Sequence, residues 1–219
     1  MTIAETCRRA KENLNGIALA SESDMNKMLS AAADALRANA DYIIAENKKD
    51  IANCTRGEQF IDRLMLDTKR IDGISIGLEK LIELKCPLGE ILEERVLYNG
   101  LFLRKVRVPL GVLGIIYEAR PNVTADAIGL AIKSGNAVVL RGSKDALFSN
   151  KAVTSVIKTA IAKAGYNAEF IQLIEDTARD GATEFMKMNG IIDVLIPRGS
   201  AGLIQNAVKN ATVPIIETG

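Results

Sequence analysis

From Pro109 onward, five short apolar runs alternate with amphipathic segments, and this alternation constrains the fold more than any other feature of the chain. The runs are VLGII, AVVLR, FIQLI, IIDVLI and VPIIE. Apolar runs of that length suit strands buried on both faces, and the helix-length segments between them suit crossover connections. The expected fold class is therefore α/β, a doubly wound parallel sheet. The spacing predicts helices at about 124–134, 144–164, 180–188 and 201–210, two of them closed by glycines placed as C-terminal caps, Gly135 and Gly165.

The chain upstream has a different rhythm. ERVLYNGLFLRKVRV alternates around Asn99-Gly100, a hairpin signal that predicts strands at about 94–98 and 101–108. The first eighty or so residues read as helices. Met25, Met28, Leu29, Ala32 and Leu36 recur at helical spacing, and Ser21 with Asp24 resembles a capping box with Asp in place of Glu or Gln. One long helix is expected near 22–50 and a second stretch from Gln59 to Leu84, its apolar stripe interrupted by Gly73 and Gly77. Two units follow: helices and a protruding hairpin over 1–108, and a dinucleotide-binding α/β domain over 109–219.

Composition narrows the chemistry. The chain has no histidine, which excludes Ser-His-Asp hydrolysis and zinc hydrolysis of the HExxH type. It has no tryptophan and only 4% aromatics, too few for platforms that stack single-stranded nucleic acid. A net charge of +1 favours neither nucleic acid nor an anionic membrane, so a small-molecule ligand is expected. MTIAETCRRAKENLNG lacks the apolar centre of a signal peptide, and no apolar run is long enough for a membrane span, so the expected location is cytoplasmic. Cys7, Cys54 and Cys86 are odd in number and form no CxxC pattern, which points to reduced thiols.

In a sheet of this kind ligands sit beyond the carboxyl ends of the strands, where turns enter the next helix with free N–H groups. Three turns qualify. YEARPNVT runs from Tyr117 to Thr124, whose hydroxyl is placed to cap the following helix. RGSKD runs from Arg141 to Asp145, with Ser143 as cap. PRGSAG runs from Pro197 to Gly202. None is a GxGxxG fingerprint, and glycines between strand and helix are common for local reasons.

The segments KVRVPLGVLGIIYEARPNVTADA, IKSGNAVVLRGSKDA, DVLIPRGSAGL and VPIIETG, with FIDRLMLD upstream, resemble the gamma-glutamyl phosphate reductases, relatives of the aldehyde dehydrogenases. The resemblance covers Gln59 to Gly219 in the family's order. It implies reduction of L-glutamyl 5-phosphate by NADPH to glutamate 5-semialdehyde with release of phosphate, through a cysteine thioester, in proline biosynthesis. A thiolate attacks an acyl phosphate readily and leaves an electrophile able to accept hydride. The family's nucleophile lies downstream of ETG, so none of the three cysteines is assigned to it and the 219 residues alone are expected to be inactive.

The resemblance also implies roles residue by residue. Arg141 matches a lysine that holds the adenosine ribose in aldehyde dehydrogenases, and Lys144 stands where they carry a glutamate. A lysine there attracts a 2′-phosphate that a carboxylate would repel, so NADP(H) is implied, with Gly142 and Ser143 in the same turn. On spacing alone, Arg141 and Lys144 read equally well as solvated charges at a helix start. Gly199 and Ser200 resemble the pair beside the nicotinamide half of the cofactor, and Ser200 also reads as a helix cap. Glu217 resembles a glutamate at the end of the next strand. Asn122 resembles the asparagine that stabilises the thioester oxyanion. Arg120 is a candidate for the substrate's phosphate or carboxylate. No metal is implied.

Two other readings stay open: a non-catalytic NADP-binding module, and an aldehyde dehydrogenase oxidising a free aldehyde, which Lys144 and RGSKD disfavour. As in the superfamily, the hairpin at Asn99-Gly100 is expected to mediate self-association into a homo-oligomer. Some relatives are fused to a glutamate 5-kinase, so a functional association with that enzyme is a further expectation.

Overall fold

The computed structural model describes residues 1–217. Its first part is helical: α1 (Ile3–Glu12), α2 (Leu14–Ala18), α3 (Glu22–Ala38), α4 (Ala40–Asn53), α5 (Glu58–Leu64) and α6 (Thr68–Glu83). Thr2 and Glu5 form a reciprocal capping box on α1, and the Ser21 hydroxyl accepts from the Asp24 N–H at the start of α3.

The single helix expected near 22–50 is two helices. The Asn39 N–H and its side-chain amide both donate to the Ala35 carbonyl, which closes α3 and lets α4 leave in a new direction. The stretch from Gln59 to Leu84 is likewise divided. Its break falls at Met65–Asp67, where Asp67 accepts from the Arg70 N–H at 2.7 Å and starts α6, rather than at Gly73 or Gly77.

A hairpin follows, β1 (Ile91–Val96) and β2 (Phe102–Val106), with every strand residue exposed. Its strands begin or end a few residues from the expected positions. The turn is where it was expected: Gly100 takes φ +83°, and the Leu97 N–H donates to the Leu101 carbonyl at 2.8 Å.

The remaining chain alternates as expected: β3 (Val112–Tyr117), α7 (Asn122–Lys133), β4 (Ala137–Arg141), α8 (Leu147–Lys163), β5 (Ile171–Leu173), α9 (Arg179–Phe185), β6 (Val194–Arg198) and α10 (Ala201–Asn210). A 3-10 turn at Lys144–Ala146 precedes α8. The four strands are parallel in the order β5-β4-β3-β6. VPIIE contributes only a bridge between Ile215 and Leu195. Gly135 and Gly165 hold φ of +67° and +90° just past α7 and α8, the left-handed cap that a side chain would strain.

One hydrophobic core crosses the boundary drawn at 108/109. It joins Met25, Leu29, Leu36 and Leu78 to Ile115, Val139 and Ile171, because α3 packs on α6, α7 and α8 while α4 lies on α8. Within it, the Lys133 ammonium donates to the Asn26 side-chain oxygen at 2.9 Å and to Glu22 at 3.2 Å, so the charge is not left unpaired. Among the described residues no helix is long and apolar enough to cross a membrane.

Candidate functional site at the carboxyl edge of the sheet

Parallel register brings the three turns to one edge. Ile116 lies beside Arg141 of β4, and Tyr117 lies beside Arg198 of β6. Two strand spacings separate the outer turns by about 10 Å. From β3 the chain steps through β4 to β5 and then crosses to β6 on the opposite side. The switch in winding opens a crevice between the ends of β3 and β6, the usual ligand position in such sheets. A cavity of about 350 Å³ occupies it, lined by residues that include Glu118, Arg120, Arg198, Gly199 and Ser200. Another depression, about 710 Å³, runs between α1, α8 and β5 and shares no residue with the three turns.

The second turn is built on a buried polar chain. The Tyr117 hydroxyl and Thr124 Oγ1 lie 2.7 Å apart, and Thr124 Oγ1 lies 2.8 Å from Asn150 Oδ1. Burial pushes the Tyr117 phenol above its ordinary range. Thr124 therefore does not cap α7 as expected. It lies inside the helix, which opens at Asn122 after Pro121, and its hydroxyl is spent in the core. Gly142 rests on this chain, where an added Cβ would lie 2.2 Å from Asn150 Nδ2 and 3.2 Å from the Tyr117 ring.

Arg141 does not reach into solvent. Its guanidinium is buried, donates to the Ala178 carbonyl in the turn after β5, and leaves Nε without a partner. Burial lowers its pKa, opposed by the nearby charge of Asp176. Ser143 accepts from the Asp145 N–H at 3.2 Å, as a cap should. Lys144 is exposed at the start of the 3-10 turn.

At β6, Ser200 caps α10 and also meets Glu118 across the crevice. Its N–H donates to Glu118 Oε2 at 3.0 Å and its hydroxyl to Oε1 at 2.7 Å. Gly199 permits this approach, since a Cβ there would stand 2.8 Å from the Glu118 carboxyl carbon. Asn122 donates to Asp126 Oδ2 at 3.1 Å, and burial raises the pKa of Asp126. Both border a second cavity of about 520 Å³, with Arg63 and Arg120. Glu217 is exposed two residues past the Ile215 bridge.

The helical half grips this edge from outside. Asn47 donates to the Leu64 carbonyl at 2.8 Å and to Ser149 Oγ at 2.9 Å, while its own oxygen accepts from the Leu66 N–H. The buried Asp50 carboxylate accepts from the Phe148 and Ser149 N–H groups at the start of α8. Arg56 reaches Asp145 at 3.5 Å. Cys54, distant from all three turns along the chain, packs with Phe60 against Leu64, Ala119 and Ala146, two of which belong to or directly follow those turns. The cause is the packing of α4 on α8, which delivers the end of α4 to the sheet edge. Cys7 is fully buried, its thiol pushed up to about 12, and Cys86 lies beside the Lys133 carbonyl.

Sequence reasoning left Glu118, Arg63, Asp126 and Arg198 unassigned. Glu118 and Arg198 sit inside segments already singled out, and their adjacency to the turns was a usable signal. Arg63 and Asp126 also lie in segments that carry the resemblance, but outside the three turns, and nothing local connects a residue of α5, or one a helical turn inside α7, to the ends of β3 and β6.

No family model matches the chain. It is 50% identical over 214 residues to a gamma-glutamyl phosphate reductase of Clostridium botulinum (strain Eklund 17B / Type B), covering 96% of this chain and 52% of that protein. The crystal structure of gamma-glutamyl phosphate reductase from Thermotoga maritima superposes with a TM-score of 0.97 at 37% identity, over 100% of this chain and 54% of that one. A probable aldehyde dehydrogenase from Listeria monocytogenes EGD-e shares the fold, with a TM-score of 0.79 at 20% identity over 99% of this chain and 45% of that one. The chain thus spans about half the length of the curated relatives it matches. Across the length that it spans, the chain is similar to the gamma-glutamyl phosphate reductases and carries the aldehyde dehydrogenase-like fold.

Proposed function

We propose that the protein serves the NADPH-dependent reduction of L-glutamyl 5-phosphate to L-glutamate 5-semialdehyde and phosphate in proline biosynthesis, and that residues 109–219 are its dinucleotide-binding part. The observation that carries this reading is the meeting of the three turns at one edge, beside the crevice where the sheet changes winding direction. The residues present suit a phosphorylated dinucleotide. Lys144 is an exposed cation at a helix start, placed to attract a 2′-phosphate, and Ser143 with Gly142 presents the turn below it. Gly199 and Ser200 lie two strand spacings away, a distance that a dinucleotide spans. Arg141, turned toward Ala178, supports the turn from beneath rather than gripping the ligand directly.

The cofactor supplies hydride when bound. Asn122 offers its amide at the 520 Å³ cavity beside the crevice, restrained by Asp126, for an oxyanion developing on the substrate. Arg120 borders both cavities and faces the charged end of the substrate. None of Cys7, Cys54 and Cys86 serves as the nucleophile of the thioester route: Cys7 is sealed in the core, and the other two are engaged in packing. Glu217 closes the cofactor side of the edge. The location is cytoplasmic, and the exposed hairpin joins copies of the chain, its turn presenting Leu101 and its second strand Phe102 and Val106 to solvent. A functional association with a glutamate 5-kinase accords with a substrate that is an acyl phosphate.

Separate titrations of NADPH and NADH against the purified chain test this reading. NADPH binds more tightly, and Lys144→Glu weakens NADPH by roughly tenfold or more while sparing NADH, since hydrogen bonds to charged groups contribute about 1.5–3 kcal/mol. Equal affinity for the two cofactors rejects the assignment. Semialdehyde formation by the 219 residues alone would show that one of the three cysteines had been misjudged and that the chain is more than a binding module.

A further inference from the structure

We propose that Arg63, Arg120 and Arg198 form a cradle for an anionic phosphate group in the crevice between β3 and β6, and that this group belongs to the small phosphorylated substrate rather than to the cofactor. The proposal deepens the functional reading above and rests on it only for the identity of the substrate. Arg63 comes from FIDRLMLD in α5, Arg120 from the turn after β3, and Arg198 from the last position of β6. All three line the 350 Å³ cavity, and Arg63 and Arg120 also line the 520 Å³ cavity beside it.

The charges in this crevice are out of balance. Among the described residues, none of the three guanidinium groups enters an ion pair or a side-chain hydrogen bond, whereas Arg37, Arg70, Arg104 and Arg107 all do. Arg198 feels only the more distant field of Asp126. Glu118 is the one carboxylate lining the 350 Å³ cavity, and both its oxygens are committed to Ser200. Three guanidinium groups against Glu118, and against Asp126 in the adjoining cavity, leave a surplus of positive charge that suits an anionic phosphate. Guanidinium forks bind phosphate oxygens in pairs, and three that line one cavity from α5, the turn after β3 and the end of β6 offer such a group contacts from separate elements. Phe60, Val123 and Ile204 complete the wall and lower the local dielectric, which strengthens each contact.

The geometry also separates this cradle from the turn at Lys144. That turn follows β4, on the far side of β3 from Arg198. A phosphate held by Lys144 and one held by the arginines are therefore distinct, and α5 contributes to the second alone.

Calorimetric titration of the 219-residue chain with inorganic phosphate, repeated with NADPH, tests the proposal on Arg63→Ala, Arg120→Ala, Arg198→Ala and Arg63→Lys. The wild-type chain binds phosphate, each alanine variant loses roughly tenfold in affinity, and Arg63→Lys recovers part of the loss. All three positions are exposed, so the variants fold, which a thermal melt checks. NADPH affinity stays within about twofold of the wild type in Arg63→Ala and Arg63→Lys, since α5 carries none of the residues assigned to the cofactor, whereas Arg198 adjoins Gly199. Absence of phosphate binding in the wild type, or alanine variants that bind as it does, overturns the cradle. Parallel loss of phosphate and NADPH binding in Arg63→Ala overturns its assignment to the substrate and moves the arginines to the cofactor. Failure of the wild type to bind NADPH sinks the cofactor reading while a phosphate site lost in Arg63→Ala still upholds this one.

Discussion

Replacing Gly142 with alanine tests the link between the second turn and the core beneath it. Gly142 does not have a positive φ, so backbone strain is not at issue. The conflict is one of space: the new methyl would stand 2.2 Å from Asn150 Nδ2 and 3.2 Å from the Tyr117 ring. Neither neighbour yields easily. Asn150 is 1% exposed and held at 2.8 Å through Thr124, and Tyr117 is 2% exposed. If Asn150 turns away, its amide oxygen loses its partner inside the core, at a cost of about 1–3 kcal/mol. Overpacking of the ring and the turn adds about 1–3 kcal/mol. The sum is about 2–6 kcal/mol, which in a chain of this size lowers the melting temperature by at least roughly 4–8 °C. Urea unfolding followed by circular dichroism reads it directly. Because the cause is one contact, Asn150→Ala in the Gly142→Ala background costs less than in the wild type by about 1–3 kcal/mol. A Gly142→Ala variant as stable as the wild type, or a double variant whose losses simply add, refutes the argument.

Three further outcomes follow from other parts of the molecule. Burial raises the pKa of Asp50 despite its bonds from Ser149 and Phe148, so the folded state binds its proton more tightly than the unfolded state does; its contribution to stability is greatest below the ordinary aspartate range and declines as pH rises through the raised value. The stability difference between Asp50→Asn and the wild type therefore shifts toward the variant as pH rises across that window, and a difference independent of pH contradicts it. Cys7, fully buried and pushed up to about 12, resists a thiol reagent at pH 8 in the folded chain and reacts only on unfolding, so fast labelling of all three thiols counts against the packing of α1. Paired aspartates at Leu101 and Phe102 abolish self-association in light scattering without lowering the melting temperature, since both side chains are exposed; a wild-type chain that is already monomeric rejects the hairpin interface.

Local signals were read well where the cause is local. Gly100, Gly135 and Gly165 mark turns because only glycine adopts their backbone without strain, and Ser21, Ser143 and Ser200 cap helices through bonds to residues two or three positions away. Four of the five apolar runs became the parallel sheet, most plainly β3 and β4, where burial on both faces leaves no polar alternation, whereas VPIIE supplies only a bridge. The breaks at Asn39 and Met65–Asp67 were not legible, since helical periodicity passes through both and only packing on α8 and α7 demands the change of direction. Thr124 was misread for a related reason: its hydroxyl satisfies a capping rule in the sequence, yet Tyr117 and Asn150 claim it in the core.

The site divides along the same line. The amino-acid sequence by itself determined which turns follow which strands, and with them the neighbourhoods of Arg141, Lys144, Gly199 and Ser200. Strand order decided the rest. Only the placement of β6 beside β3 opens the crevice and turns Glu118 onto Ser200, and only helix packing sets Arg63, from far upstream, in the wall of the cavity that Arg198 lines. Contacts between residues so distant along the chain depend on how sheets wind and helices pack, and no run of neighbouring residues encodes them.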